Sequence, residues 1–251
     1  MPDALTSSSM NRQSPFSYSC NQCGRCCHNQ SITLSPVDVI GIARATRLST
    51  SMAVTRYAMR RGSLLRFGAN GECVALDGVR CTIHPGRPLA CRLYPLGLER
   101  DGTNERFVRL EPAAGSAGIY GDHGIIGEFL RAQDVDERLR LNERYRPLIS
   151  LLRDRVAGAI DFDTVEPREF RRRAVAEALR ETNYDPNSLI DAIFDADGTG
   201  CYRESVAATV EVHVAALIDI ARHESDGVSL AVAAVLLAVS LGYPPSEAIS
   251  G

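Results

Sequence analysis

The chain has 251 residues, of which 45% are hydrophobic, so it is long enough to form one or two domains with a substantial core. Its 28 basic and 31 acidic residues give a net charge of −3, which removes any electrostatic case for binding nucleic acid or a membrane surface. All 28 basic residues are arginine, so Schiff-base and phosphate-loop chemistry, which need lysine, are excluded.

The N-terminal residues are polar, rich in serine and without periodicity, which predicts disorder over residues 1–17. They contain no apolar segment typical of a secretory signal, so we expect a cytoplasmic protein. The longest apolar run, Val228–Leu241, is too short and too rich in alanine to span a bilayer, and we expect it to form a buried helix. In a reducing compartment the eight cysteines are not expected to pair as disulfides.

Two helices are predicted in the first quarter of the chain. Ser35-Pro36-Val37-Asp38 has the signature of a helix N-terminus, with serine as N-cap, proline in the first turn and an acid that favours the helix dipole. This helix is expected to run to about Arg47. Ser49 is predicted to cap a second helix that runs through Met59.

Short extended pieces and turns are predicted to follow. The stretch from Gly68 to Arg87 is rich in turn-forming residues. Residues 93–98 and 106–110 flank Asp101-Gly102, which predicts a β-hairpin. Four glycines follow at positions 118, 121, 124 and 127. Their spacing is not that of a dinucleotide-binding motif, so we expect them to form tight turns that lead into a helix.

The rest of the chain is predicted to be mainly helical, which makes the fold class α+β. We expect three parts: a disordered N-terminus over 1–17, a cysteine-rich domain with short strands over 18–160, and a helical domain over 161–251. The predicted helices are 125–133, 135–158 with a break near Pro147, 166–181, 186–194, 204–224 and 227–241.

Seven of the eight cysteines lie within 72 residues. Cys20, Cys23, Cys26 and Cys27 form the pattern C-x2-C-x2-C-C, and three more follow at positions 73, 81 and 91. A two-residue spacing lets two thiolates of one turn bind the same metal, with backbone amides directed at the sulfurs. Three cysteines in this register with a distant fourth are typical of an iron–sulfur cluster, and two pairs are typical of zinc.

Two other uses of the thiols are alternatives to metal binding. Free cysteines are often ordinary buried residues, but seven in this arrangement make that interpretation weak. Redox catalysis through Cys23 and Cys26 as a C-x-x-C pair is a second alternative, although no thioredoxin-like pattern surrounds the pair. Seven thiols exceed the four that one tetrahedral ion needs, which favours a 4Fe-4S cluster with spare thiols or two metal sites.

The chain resembles the CxxCxxCC cysteine-cluster family, a zinc- or iron-chelating family with flagellin lysine methylases as similar members. The resemblance covers roughly residues 18–125 and rests on C-N-Q-C-G-R-C-C at 20–27, L-S-P-V-D at 34–38, G-E-C-V-A-L at 71–76, C-T-I-H-P-G-R-P at 81–88 and C-R-L-Y-P at 91–95. It implies that the metal ligands are Cys20, Cys23, Cys26, Cys27, Cys73, Cys81 and Cys91. Some members carry a further cysteine where this chain has Ser116-Ala117-Gly118, so an eighth ligand is absent at that point.

Residues beside the cysteines have plainer interpretations. We expect His28 and His84 to support the ligands, although either could complete a Cys3His site. Arg87 and Arg92 are candidates for offsetting thiolate charge. Phe194–Gly200 resembles the first half of a calcium-binding loop but has valine at the last ligand position, so we expect a helix-connecting turn that does not bind calcium. Cys201 has no cysteine neighbour and is not expected to be a ligand.

Three functions therefore remain open from the sequence. The first is metal binding as such, through a cysteine-ligated iron–sulfur cluster or zinc. The second, implied by the resemblance, is an S-adenosylmethionine-dependent lysine N-methylase that acts on a protein such as flagellin, although no glycine-rich strand-turn-helix for that cofactor is evident. The third is a protein-interaction module held together by zinc. Nucleic acid and membranes are not expected as partners.

Overall fold

The computed structural model describes residues 10–59, 64–101, 104–159 and 205–223, together with Leu230. Its architecture is α+β, as the sequence predicts, with the strands in antiparallel pairs and the helices concentrated after residue 125. The elements are β1 Pro15–Ser19, α1 Pro36–Thr46, α2 Thr50–Tyr57, β2 Ala58–Met59, β3 Leu64–Leu65, β4 Leu76–Asp77, β5 Arg80–Cys81, α3 Leu89–Leu93, β6 Leu96–Asp101, β7 Asn104–Arg109, β8 Ile119–Ile125, α4 Ile126–Ala132, α5 Val135–Glu143, α6 Arg146–Ala159 and α7 Val206–His223.

The N-terminal segment is ordered from Met10 onward, so the prediction of disorder over 1–17 is wrong for residues 10–17. β1 pairs with β8, and Met10 forms a bridge with Phe107 of β7. Phe16 is 1% exposed and packs edge-to-face on Phe129 of α4. Residues 10–17 are ordered by one buried aromatic ring and by pairing with strands more than ninety positions away. The local composition indicates neither contact.

The two predicted helices near the N-terminus are confirmed. α1 begins at Pro36 behind a full capping box, in which the Ser35 hydroxyl accepts from the Asp38 amide and the Asp38 carboxylate accepts from the Ser35 amide. α2 begins after the Ser49 cap, as predicted, and ends at Tyr57, two residues earlier than expected. Its chain then pairs as β2 with β3.

The predicted hairpin is also confirmed, with Asp101 pairing with Asn104 at its end. The glycine-rich segment after it is different from the prediction: it forms the strand β8, and only its last residues lead into α4. β8 obtains its hydrogen bonds from β1, which lies about a hundred residues earlier. Glycine spacing indicates turns, but it cannot report a partner strand so distant in sequence.

The helices form a core that includes residues from both ends of the chain. Val37 and Ile40 of α1 pack in one cluster with side chains of α5, α6 and α7. The helix predicted over 135–158 has its predicted break near Pro147: it is divided into α5 and α6 at Arg144-Tyr145. Division of the chain into domains at residue 160 stays a prediction. The buried members of this helical core are Val37, Ile40, Leu141, Tyr145, Leu148, Ile149, Leu152, Val210, Val214, Leu217, Ala221 and Leu230.

A titratable pair lies inside the helical core. The side chains of Tyr145 and His213 share a hydrogen bond of 2.7 Å between the hydroxyl and Nδ1, and both residues have no exposed surface. Burial lowers the pKa of His213 to about 3. The folded protein therefore keeps this histidine neutral, whereas the unfolded chain protonates it below its ordinary pKa of about 6.5.

The free energy of unfolding is expected to fall as the pH falls below 6.5, because only the unfolded state takes up the proton. For His213 alone the loss between pH 7 and pH 5 is about 2 kcal/mol. Denaturant unfolding of His213→Gln, which keeps a hydrogen-bonding side chain, should show that much less pH dependence than the wild type. His223→Gln, at an exposed position of the same helix, is the control. Equal pH dependence in His213→Gln and the wild type would contradict the assignment.

None of the helices in the part of the chain that the structure describes has the length and apolarity needed to cross a bilayer. Several predictions fall outside the described residues and stay predictions. These are the helices 166–181, 186–194 and 227–241, the Asp195–Gly200 loop and the non-ligand role of Cys201.

Candidate metal centre

The C-x2-C-x2-C-C stretch forms a loop that closes on itself. It ends in a short 3₁₀ turn, Arg25–Cys27, which Gly24 begins with a φ of 72°. This left-handed conformation favours glycine, because a Cβ would make it strained. The loop therefore favours glycine between the second and third cysteines, and the amide of Cys27 closes the turn by donating to the Gly24 carbonyl at 3.0 Å.

Backbone pairing joins the end of this loop to the segment that carries Cys73. The amide of Cys73 donates to the carbonyl of Cys27 at 2.8 Å, and the amide of Asn29 donates to the carbonyl of Gly71 at 2.8 Å. His28 and Glu72 lie opposite each other in this short antiparallel bridge. The pairing holds Cys27 beside Cys73 although 46 positions separate them in the sequence.

Cys81 and Cys91 lie on either side of a tight loop that rests on α1. Cys81 ends β5, and Cys91 lies in α3. Between them, Gly86 lies so close to α1 that an added Cβ would be 2.0 Å from the carbonyl oxygen of Gly41. Only glycine allows this approach of two backbones. The Asp38 carboxylate fixes the next part of the loop by accepting the amide of Leu89 at 2.9 Å.

Arg92 fixes the same loop from the other side. It is 4% exposed, and its guanidinium donates to the carbonyl of Pro85, to the carbonyl of Arg87 at 3.1 Å and to the carbonyl of Gln133 at 2.9 Å. It also lies 3.3 Å from the Asp134 carboxylate. The sequence offered Arg92 as a partner of the thiolates, but its donors are used by this backbone. Arg92 therefore connects the cysteine loop to the α4–α5 junction.

Four cysteines receive backbone hydrogen bonds in a repeated pattern. The sulfur of Cys20 accepts from the amide two residues later, that of Gln22, at 3.4 Å. The amides two residues after Cys23, Cys73 and Cys81 donate in the same way. The pKa of Cys23 is lowered by the amide of Ala117 and then by that of Arg25, whereas at Cys73 and Cys81 burial outweighs the amide and raises the pKa. Amides directed at sulfur stabilise a thiolate, which is the form that binds a metal.

Six of the seven predicted ligands surround one cavity of about 530 Å³. Cys23 is not among the residues that line it, and the sulfur of Cys23 accepts from the amide of Ala117 at 3.4 Å. Within the described residues, no three Cys, His, Asp or Glu side chains are gathered closely enough to hold a metal ion as they stand. The six cysteines of this cysteine cavity are Cys20, Cys26, Cys27, Cys73, Cys81 and Cys91.

The thiols of the cavity differ in acidity because they differ in burial and partners. Cys26 accepts a hydrogen bond from Cys27, which lowers the pKa of Cys26 to about 7 and raises that of Cys27. Burial raises the pKa values of Cys73, Cys81 and Cys91. A bound cation reverses this effect, so metal binding here should release protons.

The two histidines beside the cysteines are differently placed. Nδ1 of His28 lies 3.0 Å from the Gly24 carbonyl and Nε2 lies 3.4 Å from Glu72, so this ring supports the loop. His84 lies on the wall of the cavity, and burial lowers its pKa. Arg87, as the sequence suggested, lies on the same wall.

Several residues that shape the site were missed by sequence reasoning. Asp38 was identified only as a helix-capping acid, and Gln133 and Gly86 were not singled out. The glycine at 86 was readable as a turn residue in H-P-G-R-P, but its contact with α1 was not. Tyr18 and Tyr94, which also line the cavity, had no signal beyond their closeness to Cys20 and Cys91.

Comparison with known proteins gives one family match. Residues 19–111 match the model of the CxxCxxCC family, described as "Putative zinc- or iron-chelating domain". The searches of curated proteins and of solved structures found no significant match. The matched range contains all six cysteines of the cavity and Cys23, and it supports binding of zinc or iron by this part of the chain.

Proposed function

Because residues 19–111 carry a domain of the CxxCxxCC family, we propose that the protein binds a polynuclear metal centre, foremost an iron–sulfur cluster, in the cysteine cavity. The observation that carries this proposal is that cysteines from three separate segments line one cavity. Thiolates are the ligands that both zinc and iron–sulfur clusters use. When bound, an iron–sulfur cluster would supply reversible one-electron transfer.

The number of thiols favours a cluster over a single ion. One tetrahedral zinc ion uses four ligands, whereas six cysteines surround the cavity. A 4Fe-4S cluster would use four of them and leave two as neighbours, and two zinc ions that share thiolates would use all six. We favour the cluster, because Cys20 and Cys26, which line the cavity, belong to a C-x2-C-x2-C register typical of iron–sulfur proteins.

The surroundings of the thiols also support a charged centre. Backbone amides are directed at four cysteine sulfurs, and Arg87 lies close enough for its charge to act on Cys81, Cys91 and Cys20. Such donors and cations reduce the cost of holding several thiolates together. These donors and Arg87 are in position without a bound metal, so the site favours anionic sulfur.

The full ligand set stays a proposal. We assign metal binding to Cys20, Cys26, Cys27, Cys73, Cys81 and Cys91, which line the cavity. Cys23 as a seventh ligand remains the hypothesis of the family resemblance. The methylase and interaction-module alternatives also remain hypotheses, because the matched description concerns chelation alone.

Anaerobic purification decides between the metals. We expect iron and acid-labile sulfide in about equal amounts, with a broad visible absorption band that bleaches on reduction or exposure to air. Metal analysis, sulfide analysis and an absorption spectrum of one sample make the measurement. Zinc without sulfide would overturn the cluster and leave metal binding intact. Absence of both metals, including after reconstitution with iron and sulfide or with zinc, would overturn the proposed function.

A further inference from the structure

The cysteine cavity is larger than a metal centre requires. Its volume is about 530 Å³. A cluster of four metals and four sulfides has eight atoms, which fill roughly 240 Å³ even at the 30 Å³ that a water molecule occupies in the liquid. More than half of the cavity therefore remains beside the cluster, and more beside zinc. The whole cavity falls within the roughly 300–1,000 Å³ that is typical of small-molecule sites.

Apolar side chains share the wall of the cavity with the cysteines. Structural metal sites are closed around the ion, whereas a site that takes a further ligand keeps one side open. Here the wall also contains aromatic and aliphatic side chains, which suit the apolar body of a small molecule. These side chains are Tyr18, Ile32, Phe67, Tyr94, Leu110 and Phe129.

Two arginines, Arg80 and Arg87, line the cavity, and Arg80 is exposed. Arg87 is half-buried, and it donates to the His84 carbonyl at 2.9 Å and to the side chain of Gln133. No carboxylate in the described part of the chain lies within 4.0 Å of its guanidinium. A guanidinium has five N–H donors, so the bonds that orient it leave others for the cavity.

An aromatic side chain of the apolar wall lies near Arg87. Phe129 lies one helical turn before Gln133 on α4, and the amide of Gln133 donates to the Phe129 carbonyl at 3.1 Å. A ligand whose anionic end meets Arg87 therefore has an aromatic ring within reach of its apolar end. Arginine binds a planar carboxylate through two parallel hydrogen bonds, which fixes the orientation of such a ligand.

Resting on the proposed metal function, we propose that the cavity binds a small organic carboxylate beside the metal centre. The carboxylate pairs with Arg87, and the apolar body lies against Phe129 and the neighbouring wall. The chain is then more than a metal store, because its metal centre has a built place for an organic acid. The volume left beside a cluster limits this acid to about ten heavy atoms at the same 30 Å³ each.

Benzoate is a suitable probe, with its neutral analogue benzamide as the matched comparison. Titration of the metal-loaded protein at constant ionic strength, followed by the visible circular dichroism of the centre and by calorimetry, should give saturable benzoate binding at millimolar concentration or below. Benzamide should bind at least tenfold more weakly. Arg87→Gln should weaken benzoate binding at least tenfold, and Arg106→Gln, at an exposed pair with Glu99 on the hairpin, should leave it unchanged.

A second variant guards against loss of metal in Arg87→Gln. Leu110 lines the cavity and is 41% exposed, so Leu110→Asp adds a negative charge at the rim with little risk to the fold. It should weaken benzoate binding and leave benzamide binding unchanged. Metal content is measured in every sample. Metal without saturable benzoate binding, equal binding by Arg87→Gln, or tighter binding of inorganic phosphate would overturn this inference and leave the proposed function standing. Absence of metal would overturn the proposed function itself.

Discussion

Cys26→Ser is expected to remove most of the bound metal. Cys26 lies close enough to five of the other N-terminal cysteines for its charge to act on them. It also has the most acidic thiol of the cavity, with a pKa of about 7. Serine stays protonated near neutral pH, so it cannot replace a thiolate ligand. Partners outside the ligand shell typically change metal affinity 10–100-fold, and a lost ligand should exceed that.

Two other cysteines provide matched controls. Cys23 belongs to the same loop, but it does not line the cavity, and its sulfur lies 3.4 Å from the amide of Ala117. Cys23→Ser should therefore retain more metal than Cys26→Ser. Cys201 has no cysteine neighbour in the sequence, and Cys201→Ser should retain metal fully. Metal and sulfide per protein, measured on the three variants purified together without oxygen, make the comparison.

The results that would contradict this ranking are specific. Equal metal loss in Cys23→Ser and Cys26→Ser would mean that the loop rearranges when metal binds and that all three cysteines of the C-x2-C-x2-C register are ligands. Loss of metal in Cys201→Ser would place a ligand beyond the N-terminal domain. It would also overturn the division of the chain at residue 160.

The sequence was most informative where a signal is local. The capping box of α1 is contained in four consecutive residues, and the hairpin β6–β7 has its turn between its own strands. The α+β class follows from such local signals. The cysteine pattern belongs to the same group, because two-residue spacing has a chemical meaning before any fold is known.

What the sequence did not predict depends on contacts between distant segments. β1 and β8 form a pair only because the chain returns after about a hundred residues, so neither was predicted as a strand. Arg92 was expected near the thiolates, but its guanidinium turns toward carbonyls on both sides of the cysteine loop. Spacing along the chain indicates which residues can share a turn, and it does not indicate which way a side chain points.

The cavity is a property of this same long-range kind. Cysteine spacing predicts a metal, but the apolar wall is assembled from segments that begin at Tyr18 and end at Gln133. Arg87 acquires a place among these residues because Gly86 allows its loop to rest on α1. The volume beside the sulfurs was therefore visible only in three dimensions.

Removal of the metal is expected to unfold the segment from Gly68 to Arg92. Its buried hydrophobic residues are Cys73, Ala75 and Ile83, and Ile83 is the only large one. Full burial of such a side chain stabilises the fold by about 1.5–3 kcal/mol, which is little for 25 residues with strands of two residues each. A structural metal can contribute roughly 10–16 kcal/mol of apparent binding free energy, comparable with the 5–15 kcal/mol stability of a whole domain.

Hydrogen exchange on the metal-loaded and chelator-treated protein measures this effect. The amide of Thr82, which donates to the Ala75 carbonyl within the segment, and the amide of Cys73, which donates to the Cys27 carbonyl, should lose protection by at least about a hundredfold, which is about 2.7 kcal/mol. Amides of α7 should keep theirs, because Val210, Val214 and Leu217 pack in the helical core, away from the cysteine cavity. Loss of protection through α7 as well would mean that the helical part is not an independent domain. Equal protection of the segment in both forms would show that its fold needs no metal. The metal would then serve catalysis or sensing at the cavity and not the stability of the fold.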